Sequence, residues 1–364
     1  MTLFSLGWDD FFANAFRPHL DAGLTPARIT LQHKHVCLAQ SEFGELQAAC
    51  TGRLLFDASD RAALPAVGDW TAVRLRSDSV PDGEPRPADI HAVLPRRTSF
   101  SRASAGDTGS EQVLAANVDT VFLVTGLDRD YSVRRIERYL AAARSSGAQP
   151  VIVLNKADLL SDRRATEDEV RAVARSTPVV TLSATHDTDL APLSPWLLPG
   201  ATVALLGSSG VGKSTLVNRL LGAERQPTRE VSAAVPKGRH TTTRRELIAL
   251  PSGALVVDTP GLRELQFWDV GDAAVEHTFD DIAALAVRCR FHNCTHEAEP
   301  GCAVRAALEA GALDPARWQS FVKLRREQAY AARRADPRLA RESRDAWKKI
   351  HKAHRARCRF EEEN

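Results

Sequence analysis

Residues 207–214 read Gly207-Ser208-Ser209-Gly210-Val211-Gly212-Lys213-Ser214, which matches the pattern G-x-x-x-x-G-K-[ST]. Glycines at this spacing let successive backbone N–H groups surround a phosphate. Lys213 offers a positive charge to the β and γ phosphates, and the Ser214 hydroxyl offers a ligand to Mg²⁺. The helix predicted to begin here, which includes Thr215, adds the partial positive charge of its N-terminus. An apolar run precedes the motif and another follows it. The stretch predicts a phosphate loop rather than an ordinary glycine-rich turn.

Two further motifs lie after this loop in the chain. Asp258-Thr259-Pro260-Gly261 follows a predicted strand, so that the Asp258 carboxylate can reach the Mg²⁺ shell and the Gly261 N–H a γ-phosphate. The polar stretch 239–243 contains His240 and three threonines, of which Thr242 is our candidate for a further Mg²⁺ ligand. The pattern does not distinguish among the three threonines, and a solvated loop is the alternative interpretation.

A nucleobase site is predicted before the phosphate loop in the sequence. Asn155-Lys156-Ala157-Asp158 follows the apolar run Val151–Leu154, and Ser183-Ala184 follows Val179–Leu182. The Asp158 carboxylate can accept hydrogen bonds from N1 and the exocyclic amine of guanine, whereas adenine would leave it unpaired. Asn155 would hold the loop, the Lys156 stem would cover the base, and an N–H at Ser183-Ala184 would face guanine O6. These residues favour GTP and GDP over adenine nucleotides.

The order of the motifs is unusual, because most GTPases place the phosphate loop before the guanine motifs. From residue 113 onward, apolar strands alternate with amphipathic helices, which predicts a doubly wound α/β sheet. Such a sheet tolerates circular permutation when its termini lie close together. We therefore expect a circularly permuted P-loop GTPase domain over residues 98–270.

The N-terminal residues 1–97 have a different pattern. The apolar stretch Phe4–Phe16 predicts a helix ending near Pro18, and about five short strands follow between Arg28 and Leu94. Four of the strands are placed at Val36–Ala39, Leu46–Cys50, Trp70–Leu75 and Ile90–Leu94. This pattern predicts a small closed barrel of the oligonucleotide-binding (OB-fold) type. An unspecialised β-module without a ligand is the alternative.

The third predicted domain, residues 271–364, is mostly helical and contains Cys289-x₄-Cys294-x-His296-x₅-Cys302. Three thiolates and one imidazole complete a tetrahedral shell, so one structural Zn²⁺ is predicted in preference to buried free thiols. The tail from Arg317 carries 15 Lys/Arg against 7 Asp/Glu. Asp314-Pro315 and Asp336-Pro337 each predict the start of a helix in it. Such a tail indicates an anionic partner, and a solvated helical face is the alternative.

Composition limits the class of protein. The 364 residues are 43% hydrophobic and 26% charged with a net charge of +2, which excludes collagen, low-complexity and wholly disordered chains. No apolar run approaches the roughly 20 residues of a membrane span, and no basic segment precedes Arg17 as a secretory signal would require. We expect a cytoplasmic, monomeric protein without membrane contact.

With these motifs combined in one sequence, the chain resembles the ribosome small-subunit-dependent GTPase A family, the circularly permuted bacterial GTPases of small-subunit biogenesis. The permuted order, the segments Gln112–Asp119 and Gly238–Thr243, and the cysteine spacing carry the resemblance. It implies an OB-fold domain, a GTPase and a zinc domain. It also implies binding to the small ribosomal subunit and its rRNA, a part in late maturation of that subunit, and hydrolysis of GTP to GDP and phosphate that the subunit stimulates.

Two other functions stay open from the sequence. Leu262 stands where many GTPases have a glutamine that orients water, so a GTP-sensing RNA-binding switch with negligible turnover is one alternative. A zinc-containing ATPase is a second, opposed by Asn155 and Asp158. For the enzyme, Lys213 would stabilise the transferred phosphoryl group, and His240 is our candidate for placing water, with contact to RNA or solvent as its alternative.

Overall fold

The computed structural model describes residues 2–32, 36–76, 81, 84–103, 111–186, 190–222, 245–258, 270–335, 338 and 341. Contacts divide the chain into two units, Met1–Arg102 with Glu111–Phe267 and Ala103–Ser110 with Trp268–Asn364. The domain boundaries expected after residues 97 and 270 remain predictions. Among the described residues, the helices are all too short or too polar to cross a bilayer.

The N-terminal strands close into a five-stranded barrel, as the sequence predicts. They are β1 (Thr25–Gln32), β2 (Cys37–Ser41), β3 (Gly44–Cys50), β4 (Trp70–Leu75) and β5 (Arg86–Val93). They are ordered β1-β2-β3-β5-β4, and β4 pairs back onto β1. Alternate residues point inward, so that Ile29, Leu46 and Ile90 are fully buried in one core. Two short strands, β6 (Ser99–Ala103) and β7 (Glu111–Ala116), form a separate sheet.

The N-terminal helix starts later than predicted and ends at Leu20, two residues after Pro18. A 3-10 turn, Phe4–Leu6, comes first, and helix α1 spans Asp10–Leu20. They are separate because Gly7 takes a left-handed backbone with φ +82°, and a Cβ there would lie 2.7 Å from the Gly200 carbonyl oxygen. The helix also continues through Pro18, since a proline near the end of a helix sacrifices only one backbone hydrogen bond.

The first unit also contains a doubly wound sheet, as predicted. Its strands are β8 (Thr120–Gly126), β9 (Gln149–Asn155), β10 (Val179–Thr181), β11 (Thr202–Leu206), β12 (Arg245–Ala249) and β13 (Leu255–Asp258). The order is β10-β9-β8-β11-β13-β12, parallel except for β12. Three helices follow strands β8, β9 and β11 in the chain: α3 (Val133–Ser146), α4 (Arg164–Ala174) and α5 (Lys213–Leu221). The carboxyl ends of the parallel strands therefore share one edge, where such sheets bind ligands.

The barrel continues this sheet directly. Strand β12 pairs antiparallel with β1, with Glu246 opposite Leu31, so that eleven strands form one sheet. Arg28 of β1 is buried beside this joint and donates to the carbonyl oxygens of Gly68 at 3.1 Å and Asn117 at 3.0 Å. Burial lowers the pKa of Arg28 to about 10. The guanidinium ties the barrel to the segment that enters the α/β sheet.

The second unit is helical. Helix α2 (Gly52–Asp57) belongs to the barrel, and the second unit holds α6 (Asp272–Thr278), α7 (Asp280–Ala286), α8 (Ala303–Glu309) and α9 (Pro315–Ala335). Asp314 caps α9 by accepting from the Ala316 N–H at 2.9 Å, as the sequence predicts. Buried Arg317 pairs with both carboxylate oxygens of Asp281 at 2.7 Å. The second predicted tail helix lies outside the described residues apart from Arg338 and Arg341.

Candidate functional site

The predicted phosphate loop lies between β11 and α5, and its glycines are required by close contacts. A Cβ on Gly207 would lie 2.3 Å from the Val124 carbonyl oxygen of β8. A Cβ on Gly212, whose φ is +96°, would lie 2.2 Å from the Asn155 amide nitrogen. The loop is therefore pressed against the ends of two neighbouring strands, where only glycine fits.

Lys213, the first residue of α5, is held inside this loop. Its side chain is buried, and its ammonium donates to the carbonyl oxygens of Gly207 at 2.7 Å and of Ser208. Ser214 and Thr215 follow in the first turn of the helix. The positive charge and the helix N-terminus thus face the same loop, an arrangement suited to phosphate.

Asn155 joins three of the predicted motifs. It is the last residue of β9 and is buried. Its amide nitrogen donates to the Val211 carbonyl oxygen at 2.8 Å, and its amide oxygen accepts from the Ala184 N–H at 2.8 Å. The N–H of Ala184 thus contacts Asn155 in this structure rather than facing an open base site. Arg219 makes a second contact between α5 and the loop of Ala184, because it donates to the Ala184 carbonyl oxygen at 2.9 Å.

Asp158 lies in a short 3-10 helix, Ala157–Leu159, beside Ser183. The Ser183 hydroxyl donates to the Asp158 carboxylate and holds the pKa of that carboxyl below its usual range, against the opposing effect of burial. The Nδ1 atom of His186 lies 3.5 Å from the other carboxylate oxygen. The carboxylate is ionised and a quarter exposed, so it can accept donors from a ligand.

Lys156 takes a left-handed backbone with φ +61° and places its ammonium on Asp128, with Nζ 2.6 Å from the carboxylate. Burial opposes ionisation of Asp128, but hydrogen bonds from Lys156 and the Asp130 N–H keep the pKa of Asp128 below its usual range. Sequence reasoning missed this aspartate, since a single carboxylate after β8 matches no motif. The order of the strands was the available signal. Because β8 lies between β9 and β11, the residues that follow β8 lie near both predicted motifs.

The remaining predicted nucleotide residues divide into two groups. Asp258 ends β13, which pairs in parallel with β11 up to Val257 opposite Ala204, so its backbone lies near the end of the strand that leads into the phosphate loop. Thr242, His240 and Gly261 lie outside the described residues, and their roles stay predictions.

The four predicted metal ligands converge in the second unit. One ligand atom from each of Cys289, Cys294, His296 and Cys302 lies within 4.8 Å of all the others. The Nδ1 atom of His296 is 3.5 Å from the Cys289 sulfur and 3.4 Å from the Cys302 sulfur, and those sulfurs are 3.9 Å apart. Ligands about 2.0–2.3 Å from one tetrahedral Zn²⁺ lie about 3.5–3.8 Å from each other. The spacing therefore fits zinc.

The surroundings of this cluster also suit a metal. Burial lowers the pKa of His296, despite the Glu299 carboxylate nearby, which favours the neutral imidazole that a metal requires. Trp318 of α9 meets the imidazole edge-on, with ring centroids 5.7 Å apart. The Cys302 sulfur accepts from the Arg305 N–H at the start of α8. A bound ion would thus link the cysteine loop to two helices.

Comparison with known proteins agrees with this arrangement. A model of the RsgA GTPase family matches residues 93–268. The "small ribosomal subunit biogenesis GTPase RsgA" of Opitutus terrae is 65% identical over 99% of both chains. The crystal structure of YjeQ from Thermotoga maritima superimposes with a TM-score of 0.61 at 25% identity, covering 84% of this chain and 98% of that one. YloQ, described as a circularly permuted GTPase, has the same fold, with a TM-score of 0.58 at 24% identity over 84% of this chain and 95% of its own.

The permuted motif order, the barrel and the doubly wound sheet predicted from the sequence are thus confirmed, and so is the expected GTP-hydrolysing activity as a class. The identity to the Opitutus protein extends over nearly the whole chain, including the barrel and the cysteine cluster. The chain belongs to the RsgA GTPase family, whose members are circularly permuted GTP-hydrolysing enzymes.

Proposed function

We propose that this enzyme binds the small ribosomal subunit and its rRNA and assists late maturation of that subunit through Mg²⁺-dependent hydrolysis of GTP to GDP and phosphate. The name of the Opitutus relative supports the ribosomal part of the proposal. The observation that carries the nucleotide part is that the Asn155 side chain donates to Val211 and accepts from Ala184, so one side chain joins the two loops.

Guanine is recognised at Asp158 in this proposal. Its ionised carboxylate accepts the N1–H and exocyclic amine of guanine, and Ser183 keeps it oriented. Adenine would leave the carboxylate without donors, which disfavours it by roughly 1–3 kcal/mol. The carboxylate thus supports the choice of GTP over ATP. Contact of the Ala184 N–H with guanine O6 stays a separate prediction, because that N–H now donates to Asn155.

The loop in front of α5 would hold the phosphates and Mg²⁺ in this proposal. The ammonium of Lys213 exchanges its carbonyl partners for phosphate oxygens and stabilises the charge that develops during phosphoryl transfer. The Ser214 hydroxyl and the Asp258 carboxylate would be the residues that hold Mg²⁺, which would supply charge neutralisation to the phosphates. Thr242 and Gly261 would complete the γ-phosphate side, and His240 would place the attacking water.

Zinc has a structural role in this proposal. Cys289, Cys294, His296 and Cys302 would fill all four positions of a tetrahedral Zn²⁺, which leaves no position for a reacting water. Zinc supplies folding free energy here, because its ligands come from a loop and from the start of α8.

Binding to rRNA is supported by charge. Helix α9 exposes Lys323, Arg325 and Arg326, and the chain beyond it adds nine further Lys/Arg from Arg338 onward. Cations of this density release counterions from a phosphate backbone and give salt-dependent affinity. The barrel is of a class that binds oligonucleotides, which is a second and weaker indication.

The test is GTP turnover with and without purified small subunits, with large subunits and the Lys213→Ala variant as controls. We expect a low rate alone, a strong increase with small subunits only, and no increase in the variant. A rate that stays flat while the protein still binds the subunit would favour the GTP-sensing switch. Stimulation equal with both subunits would contradict the proposed partner.

A further inference from the structure

The segment 127–131 between β8 and α3, here called the aspartate loop, contacts both ends of the proposed nucleotide site. Asp128 accepts from Lys156 of the guanine motif at 2.6 Å. Asp130, two residues later, accepts from the Ser208 hydroxyl of the phosphate loop. Both contacts follow from sheet order, because β8 lies between the strands that carry the two motifs. Neither aspartate belongs to a recognised motif.

The aspartate loop is tightly hydrogen-bonded within itself. The Asp130 N–H donates to the Asp128 carboxylate at 3.0 Å, and the Tyr131 N–H donates to the Asp128 carbonyl oxygen at 2.9 Å. At its start, the Leu127 N–H donates to the Asn155 carbonyl oxygen at 2.8 Å. The bond from the Asp130 N–H closes an Asx turn and the bond from the Tyr131 N–H closes a backbone turn, so the main chain that carries both aspartates is fixed.

Arg135, in the first turn of α3, completes the contact with the phosphate loop. One of its terminal nitrogens, Nη1, lies 2.6 Å from the Asp130 carboxylate and 3.1 Å from the Ser208 hydroxyl oxygen. The hydroxyl therefore accepts from Arg135 and donates to Asp130, so that both of its functions are used. Arg135 and Asp130 are 32% and 40% exposed, which leaves their pairing partly shielded from water.

Ser208 links Asp130 and Arg135 to the lysine of the phosphate loop. Its carbonyl oxygen accepts from the Lys213 ammonium, while the preceding Gly207 is pressed against β8. A restraint on the Ser208 side chain therefore also sets the orientation of the peptide group whose carbonyl oxygen accepts from Lys213. Holding a binding loop in its productive shape before the ligand arrives increases affinity, because less order is lost on binding.

We infer that Asp130 and Arg135 are positioning residues for GTP, which hold Ser208 and through it Lys213 in place to receive the phosphates. Asp128 has the matching role at the guanine end, through Lys156. The inference rests on the proposed assignment of the phosphate loop and goes beyond it, since these residues touch the motifs rather than the nucleotide.

The test compares Ser208→Ala, Asp130→Ala and the double variant by calorimetric titration with GDP and GMP. We expect each single variant to lose about tenfold in GDP affinity, because a charge-assisted hydrogen bond is removed. The double variant should be no worse than either single, since both remove one shared interaction. GMP lacks the phosphate that Lys213 receives, so its affinity should change by less than about threefold. Ser208→Thr keeps the hydroxyl and should recover most of the GDP affinity that Ser208→Ala loses.

Two controls separate the possible failures. Arg171→Met removes a surface ion pair of 2.7 Å on α4, outside the aspartate loop and both motifs, and should leave both affinities unchanged. Lys213→Ala should abolish GDP binding. If it does while Ser208→Ala and Asp130→Ala bind GDP normally, or if their losses add, the inference is wrong and the site stands. If Lys213→Ala binds GDP normally, the phosphate-loop assignment fails and the inference with it.

Discussion

The side-chain amide of Asn155 donates to the carbonyl oxygen of Val211 at 2.8 Å, across 56 positions of sequence. In this chain the predicted guanine motif comes first and the phosphate loop second, and this bond joins the two. Because β9, β8 and β11 are adjacent parallel strands, their carboxyl ends present the two motifs at one edge whichever comes first. Sheet order, rather than chain order, assembles the site.

The base preference depends on the Asp158 carboxylate. We expect Asp158→Asn to lose GTP affinity and to gain affinity for xanthosine triphosphate, whose C2 oxygen would face an amide donor. Competition of both nucleotides against a fluorescent guanine nucleotide measures the exchange. As a control, Asp162→Asn changes a nearby exposed carboxylate and should not alter the preference. Unchanged GTP binding by Asp158→Asn would remove this residue from the site.

Zinc removal should act on the second unit and spare the first. We expect about one Zn²⁺ per chain, and we expect a strong chelator to unfold the helices from α7 onward while GDP binding persists, because the ligands lie outside the nucleotide site. Cys302→Ser should have the same effect, whereas Cys50→Ser, in the barrel, should retain the metal. Hydrogen exchange with and without chelator reports both units in one experiment. Folded protein that contains no zinc would contradict this prediction.

The basic tail should contribute electrostatic affinity for the small subunit. Deletion after Asp336 removes nine Lys/Arg, and the salt slope of binding should fall by about 0.7–0.9 for each rRNA phosphate that the tail neutralises. A tail of equal length with those cations replaced by glutamine should behave like the deletion, which separates charge from length. Dissociation constants over a range of salt concentrations give the slope. An unaltered slope in both variants would favour a solvated helical tail.

Water activation is predicted to involve His240, because leucine at 262 cannot orient water. We expect His240→Ala to keep GTP affinity within about threefold but to lose most turnover that small subunits stimulate, since phosphoryl transfer depends on positioning. His240→Gln, which can still accept a hydrogen bond, should recover part of the rate. Equal stimulated turnover in His240→Ala would assign the water to another group.

Strands of the α/β sheet were predictable within a few residues, because buried parallel strands are continuous apolar runs followed by polar motifs. The barrel strand β1 was harder to place, since Pro26 and the buried Arg28 interrupt its alternation. The start of the N-terminal helix was predicted too early, because Gly7, which separates Phe4–Leu6 from α1, takes its conformation where it packs against Gly200. These misses depend on tertiary contacts that a local pattern does not contain.

In the candidate site, too, local sequence patterns were predictable and tertiary contacts were not. Asn155, Asp158 and Lys213 could be proposed from the sequence because nucleotide binding requires those residue types at fixed spacing, and their roles in binding stay predictions. Asp128, Asp130 and Arg135 carry no such pattern, and their role depends on which strands are neighbours. The convergence of Cys289, Cys294, His296 and Cys302 was predictable because four ligand-type residues occur within 14 positions. Only the structure shows that Nδ1, rather than Nε2, of His296 is the ring nitrogen near the Cys289 and Cys302 sulfurs.

Binding of GDP to Asn155→Ala is the most direct measurement of whether these separated motifs form one site. The substitution removes two buried hydrogen bonds and leaves the Ala184 N–H and the Val211 carbonyl without them, so we expect GDP affinity to fall by about 100-fold. Asn14→Ala, at an exposed position of α1, is the matched control and should bind GDP normally. A folded Asn155→Ala variant that binds GDP within about twofold of the wild type would contradict the account.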